Sequence, residues 1–559
     1  MMTRYFSFCI LSVFATSAGA AVVGPAPGIV VDGAQAATAL EVNPAGVGHV
    51  NLVPYYTVRS GFDIYVNIVN TDTRNGKAVK VRFRSGEEGL DIGNFTVLLG
   101  PGDKWAAALT RDSVTGYPRL VHSDQSCTLP ANVQVTLGPT YSKVTNFGQL
   151  VENVSAALDG SVEIITLADI PRLTSAGGVS ALHAAVTTAT GATVPTCQAS
   201  AFDSLALESS SFADARSKGL EVPTTGLMTQ WTLINVPRAV SYTGRAAAVE
   251  ARVSPGGLPG YGNVVLFPQT SQLVQDAART AAYTIDPAVR GWTTQNQDGV
   301  FTPLVVGSSQ YTEKHLPDLS TPYLQAGLIN MAQGVAARQQ AYAISRALAV
   351  ASIESEFVTE PAILSKTDWV VTLPTRHLQM TNLPSELPRL SPWVLSNWTI
   401  DDAGAPIAGG IKNYFVRGVN VLDSSYPCVS GVDPFTSGVP SAHPQTETAF
   451  RTHEGLAFNL QMESGFPVPF ALCRQTNILR FAKANDNPAN GALGDARNDG
   501  RLLSAHPAGW GRIQIPGVSG RGLPIIGFAV TELYNSAVAP GVAGVFGQTF
   551  PLGTTKPAP

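Results

Sequence analysis

Short extended runs, each ended within ten residues or so by Gly, Pro, Asn or Asp, govern what this chain can become, because no fold of long helices accommodates such punctuation. Asp63 to Asn70 is rich in β-formers and alternates in its first half. Asn75-Gly76 follows, a pair that tolerates positive φ and predicts a tight hairpin into the next strand. On that strand Val79, Val81 and Phe83 face one way and Lys80, Arg82 and Arg84 the other, the pattern of a half-buried antiparallel strand. Phe95 to Leu99, a break at Gly100-Pro101-Gly102-Asp103, and Trp105 to Leu109 complete a four-strand grammar that predicts a sandwich or barrel.

The same grammar recurs at Val162–Leu167, Trp231–Val236, Ala246–Val253, Trp369–Leu373, Tyr414–Val421, Ile513–Ile515 and Ile525–Leu533. The expected fold is mainly β: antiparallel β-sandwich domains with Greek-key-like turns. One stretch dissents. Between 323 and 357 proline is absent, and Leu324, Leu328, Met331, Val335 and Tyr342 recur at helical spacing, with Ile344, Leu348 and Ala351 on a shifted stripe. This predicts a helical insertion packed on a sheet. No fixed-period repeat stands out.

The start reads as a secretory signal over residues 1–20: Arg4, an apolar run from Tyr5 to Phe14, then Ala18-Gly19-Ala20 as a small-residue cleavage site. That run is too short to span a bilayer, and no later run reaches about 18 apolar residues, so no membrane span is expected. Residues 21–45 are a flexible lead-in, 46–300 a first β-sandwich domain, 301–545 a second β domain carrying the helical insertion, and 546–559 a tail. With 36 Lys+Arg against 40 Asp+Glu and only 14% charged residues, the chain lacks the basic stripe a nucleic-acid partner requires.

Beyond Cys9 in the signal, four cysteines remain: Cys127, Cys197, Cys428 and Cys473. In an oxidising compartment they imply two disulfides; three connectivities exist, and proximity in sequence favours Cys127–Cys197 in the first domain and Cys428–Cys473 in the second. Zinc would want short C-x₂-C spacings, and none occurs.

Catalytic motifs fail one by one. Gly517-Val518-Ser519-Gly520 continues into Arg521 rather than completing a nucleophile elbow, His453-Glu454 lacks the second histidine of a zinc-protease helix, and the eight histidines are scattered singly. Loop-assembled hydrolysis would draw on Asp103, Asp368, His377, His453 and Glu454. Hard oxygen ligands concentrate in the loop from Asn485 to Gly500, where Asp486, Asp495 and Asp499 are the candidates for calcium; the spacing is not that of an EF-hand, and Asp, Asn and Gly are also ordinary turn residues. Gly86-Glu87-Glu88 with Asp91 is a second acidic cluster that reads as a solvated turn. Trp393 and Trp398, in a Pro/Ser/Asn-rich stretch, are the tryptophan pair to test for stacking on a sugar, packing in a core or loop being the plainer reading.

Four stretches carry a resemblance: Tyr65–Asp72 with Asn75–Arg84, Pro101–Trp105, Thr367–Thr375 and Leu523–Ala529. Together they resemble a group of exported cell-surface proteins of proteobacteria, over most of the chain after the signal. The resemblance implies a secreted, surface-associated β protein and brings no catalytic residues with it. The expectation is a non-enzymatic extracellular structural protein, a surface-layer, filament or adhesive component that associates with itself or with other cell-surface components. A polymer-acting hydrolase and a glycan- or calcium-binding module are the alternatives.

Overall fold

The computed structural model describes residues 22–23, 31, 33–86, 89, 91–129, 131, 133, 143–144, 150–151, 154–203, 205, 211–266, 305–306, 309–310, 342–376, 380–382, 393–395, 445–452, 457–458, 470–471, 474–483, 491–494, 500–504, 507–515, 521–539 and 542–558. Residues 1–20, expected to be a signal, Cys428, Cys473 and the 414–421 run lie outside them.

The architecture is mainly β and antiparallel, as the punctuation predicts. Four sheets carry it, two from residues 39–252 and two from 352–555. The first sheet runs, edge to edge, Cys127–Leu129, Asp91–Leu99, Gly76–Ser85, Asp159–Ile170, Val50–Thr57, Ala247–Arg252 and Ala39–Val42. The second runs Val240–Arg245, Leu227–Asn235, Phe62–Asn70, Lys104–Arg111 and Pro118–Val121. Their facing side chains, among them Tyr56, Ile64, Val81, Phe95, Trp105 and Val162, form one core.

The expected 63–70 to 79–84 hairpin does not exist: Phe62–Asn70 and Gly76–Ser85 belong to different sheets. Asp72 turns the chain between layers, its Oδ1 accepting from the amides of Arg74 and Asn75. Gly76 is required by space, since a Cβ there would press on the Leu99 carbonyl and the side chains of Ile170 and Val186. Nor is the second face of Gly76–Ser85 solvated. Lys80, Arg82 and Arg84 are buried on it, and Glu163 on the neighbouring strand pairs with both arginines.

In the second half, Gly500–Ser504, Thr476–Lys483, Lys366–Thr372, Ile526–Ala539 and Val542–Pro551 form one sheet. Ala457–Phe458, Gln445–Thr452, Ala508–Gln514, Ser352–Val358 and Gly553–Thr555 form the other. Residues 342–348 are helical, so the helix expected as far as 357 ends at Leu348. From Ser352 the burial period is that of a strand: Ile353 and Phe357 enter the second core while Glu356 faces out. Ile344 and Leu348 cover the apolar half of the first sheet's outer face at Leu40, Leu52, Ile165 and Val249. Residues 546–559, set apart by composition as a tail, instead supply most of one strand and all of another, Val542–Pro551 and Gly553–Thr555. Within the lead-in, Ala39–Val42 is already a strand.

The two halves are one design used twice. Ten strands correspond in chain order: Val50–Thr57 with Ser352–Val358, Phe62–Asn70 with Lys366–Thr372, and so on to Ala247–Arg252 with Gly553–Thr555. The neighbour order within each sheet is preserved throughout. One pairing differs in sense, Thr476–Lys483 with Gly500–Ser504 being parallel where Lys104–Arg111 with Pro118–Val121 is antiparallel. The halves meet through corresponding hairpins. On corresponding strands, the rings of Trp231, opposite Val66, and Phe528, opposite Val370, touch at 4.5 Å between centroids. Gly547 packs so closely on Ser241 and Val240 that a Cβ has no room.

Candidate functional site

Between the corresponding strands Asp159–Ile170 and Leu227–Asn235 the first half carries residues 171–226, whereas the second half crosses from Gln514 to Ile526 in 515–525. Long connections inside a packed domain are disproportionately functional. This one folds into short helices, Ala181–Val186, Ala199–Asp203 and Phe212–Ser217, around their own core. It is stapled to the first sheet by the Cys127–Cys197 disulfide, in which the two Cα atoms are 5.3 Å apart. Ser180 caps Ala181–Val186 by accepting from the His183 amide at 3.2 Å.

Beneath this segment lies a cavity of about 850 Å³, walled by the end of Asp159–Ile170, the residues that follow it and the two loops that carry Arg74 and Pro101. Asp169 lines it, and behind Asp169 stands an ion pair. Asp169 and Lys77 are direct partners in adjacent strands, with Nζ 2.7 Å from Oδ1 and both side chains buried. The other Asp169 oxygen accepts from the Thr224 amide at 3.1 Å and from the Thr224 hydroxyl. Burial pushes the Asp169 carboxyl up, against the pull of Lys77. A second pair stands beside it: Glu221 Oε2 is 2.7 Å from Arg216 Nε, and burial pushes this carboxyl up as well. Asp169 and Glu221 exchange backbone hydrogen bonds of 2.9 Å, which fixes one pair against the other.

Each carboxylate therefore has its own cation. The groups left for a guest are different ones. His183 Nδ1 donates to the Ile170 carbonyl at 3.0 Å, so Nε2 is the nitrogen free for other partners. The Thr187 hydroxyl, on the cavity wall, is buried without a partner. Arg172 is exposed at the rim. Such a site can hold a polar molecule.

None of these residues belongs to a motif, and sequence reasoning missed them all. The one signal was a stretch with no β grammar, 171–226, directly after a strong strand ending in Asp169. Of the hydrolytic candidates, Asp103 lies in the turn before Lys104, where its carboxylate accepts from the amides of Lys104 and Gly100 and from the Ser126 hydroxyl. Asp368 lies in the other half, buried, held by the Leu493 amide at 2.9 Å and Arg480 Nε at 3.3 Å. The structure does not bring the two together in this cavity. His377, His453, Glu454, Asp486, Asp495, Asp499, Trp398, Glu87 and Glu88 lie outside the described residues. Trp393 opens a short strand paired with Met380–Asn382. Of the acidic loop from 485 to 500, the described part, 491–494, is buried and tied to Asp368 and Arg480. Among the described residues no group of three or more His, Cys, Asp or Glu is placed to hold a metal ion. No described helix is long and apolar enough to cross a membrane.

Comparison with protein-family models, curated proteins and solved structures finds no match to the chain. Fold and site together define a duplicated antiparallel β-sandwich with a disulfide-stapled cavity inserted in its first copy.

Proposed function

We propose that the chain is a non-enzymatic extracellular structural protein, a surface-layer, filament or adhesive component that assembles with further copies of itself. The observation that carries this reading is the outer part of the hairpin formed by Ile526–Ala539 and Val542–Pro551. Val542–Pro551 is an edge strand whose inner part, from Gly547 on, lies against residues 240–243 of the first half. From Leu533 to Phe546 the outer part of the hairpin has no charged side chain. Val538 and Phe546 are each more than half exposed there. Monomeric proteins ordinarily guard such edges with lysine, and an unguarded one pairs with another strand. Both carboxylates of the cavity, each held by a cation, support a role in holding rather than transforming.

Fractionation of the native cells with electron microscopy of the purified protein tests this. Recovery in a surface-bound or polymeric fraction is expected, reduced by Val538→Lys with Phe546→Lys. Recovery of the unmodified protein solely as free monomer in the medium overturns it.

A further inference from the structure

We infer that the cavity beneath residues 171–226 is a binding site for a carboxylated sugar, a uronate. The first argument is topological. Duplication supplies an internal control: the crossing that took 515–525 in the second half takes 171–226 in the first, and the cavity is built from that difference. The added segment is anchored by a disulfide, a capped helix, the buried Lys77–Asp169 pair and the half-exposed Arg216–Glu221 pair, so its walls are held in place before any guest arrives. A cavity of about 850 Å³ lies in the size range of small-molecule sites.

The lining then selects the chemistry. Asp169 is neutralised by Lys77, and Glu221 by Arg216. Among the described residues no carboxylate pairs with Arg172, which adds a positive charge at the rim. A guanidinium is suited to gripping a carboxylate through two parallel hydrogen bonds. Deeper in, His183 is nine-tenths buried with its Nε2 unpartnered, and the Thr187 hydroxyl is buried and unpartnered. Leaving the buried Thr187 hydroxyl unpaired is costly and a guest hydroxyl relieves it, while the imidazole Nε2 is an acceptor for another guest hydroxyl. Pro101, Pro171 and Leu173 give the wall apolar surface for the face of a ring. One carboxylate, adjacent hydroxyls and an apolar ring face are the attributes of a uronate.

This proposal goes beyond the assembly reading, and the two fail separately: absence of binding leaves assembly standing, while a monomeric protein that binds uronate overturns assembly alone. The test is calorimetric titration of the disulfide-intact mature chain with galacturonate, trigalacturonate and neutral galactose. Saturable binding of the acidic sugars, at least tenfold weaker for galactose, is expected. Arg172→Gln, at an exposed position, should weaken uronate binding at least tenfold, and Thr187→Val should weaken both acidic ligands. Trimer binding tighter than monomer assigns the site to an acidic polysaccharide, and equal affinity assigns it to the free sugar acid. No heat with either acidic sugar, or affinities unchanged in both variants, overturns the proposal.

Discussion

Lys77 and Asp169 face each other across adjacent strands with their charged atoms 2.7 Å apart, both side chains buried. Thr224 completes the arrangement, its carbonyl accepting from Lys77 at 2.9 Å while its amide donates to Asp169. Withdrawing two charges from water is costly, and it is tolerable here because every partner is supplied. Lys77→Met strands the carboxylate and should destabilise the protein by about 3–5 kcal/mol. The double variant Lys77→Met, Asp169→Leu removes both charges and should recover most of that loss. Urea unfolding of the three proteins measures it; a double variant no better than the single one refutes the pairing argument.

His49 gives the chain a pH dependence of definite sign. Its Nδ1 accepts from the Ala251 amide at 3.1 Å, and the ring is fully buried. Burial first, and the Lys77 charge second, pull its pKa from 6.5 down to about 3. Between those values the unfolded chain takes up a proton that the folded chain refuses. The stabilisation is complete above pH 6.5 and is lost as pH falls toward 3, amounting to about 5 kcal/mol over the whole window. Unfolding midpoints at pH 7 and 4.5 should therefore differ less for His49→Gln than for the parent chain. An equal difference in both proteins refutes it.

The disulfide acts on the inserted segment. Cys127 lies on the edge strand Cys127–Leu129, and Cys197 is 70 residues away in sequence on the segment that roofs the cavity. Replacing both with alanine should cost about 2–5 kcal/mol by releasing that loop in the unfolded chain. Within the folded protein, loss of order should concentrate at 171–226. Hydrogen exchange measures both: uniform change across the first sandwich, with no excess in this segment, counts against the staple role.

What could be read beforehand follows from the range of the interactions. Period-two alternation is local, so the strands at 62–70, 76–85 and 104–111 were legible and the mainly β class with them. Which sheet each strand joins is not local. Asn75-Gly76 looked like a hairpin because the composition of a turn does not record whether it reverses the chain within a sheet or carries it to the next one. Lys80, Arg82 and Arg84 looked solvated because Glu163, which pairs with both arginines, is some 80 residues away. The duplication was invisible because corresponding connections differ so much in length that no fixed period survives. The site was hidden for a related reason: Lys77, Asp169, Glu221 and His183 meet only once the inserted segment has folded back over the end of a sheet.

The contact between the halves yields the last prediction. Trp231 and Phe528 lie on corresponding strands of the two sandwiches and pack against each other, so a single pair of rings joins the halves here. Around them Arg238 pairs with Glu532, the Tyr242 hydroxyl donates to the Ala492 carbonyl at 3.2 Å, and the Thr372 hydroxyl donates to the Pro54 carbonyl at 2.6 Å. Burial pushes the Glu532 carboxyl up against the pull of Arg238, so this polar rim is no substitute for the apolar centre. Phe528→Ala should cost about 3–5 kcal/mol, as should Trp231→Ala. The double variant should cost less than their sum by about 0.5–1.5 kcal/mol, the part belonging to ring on ring. Because each half has other cores of its own, loss of the shared centre should also separate their unfolding, turning one calorimetric transition into two. Strict additivity, or a single transition of unchanged width in Phe528→Ala, would place the coupling of the halves elsewhere.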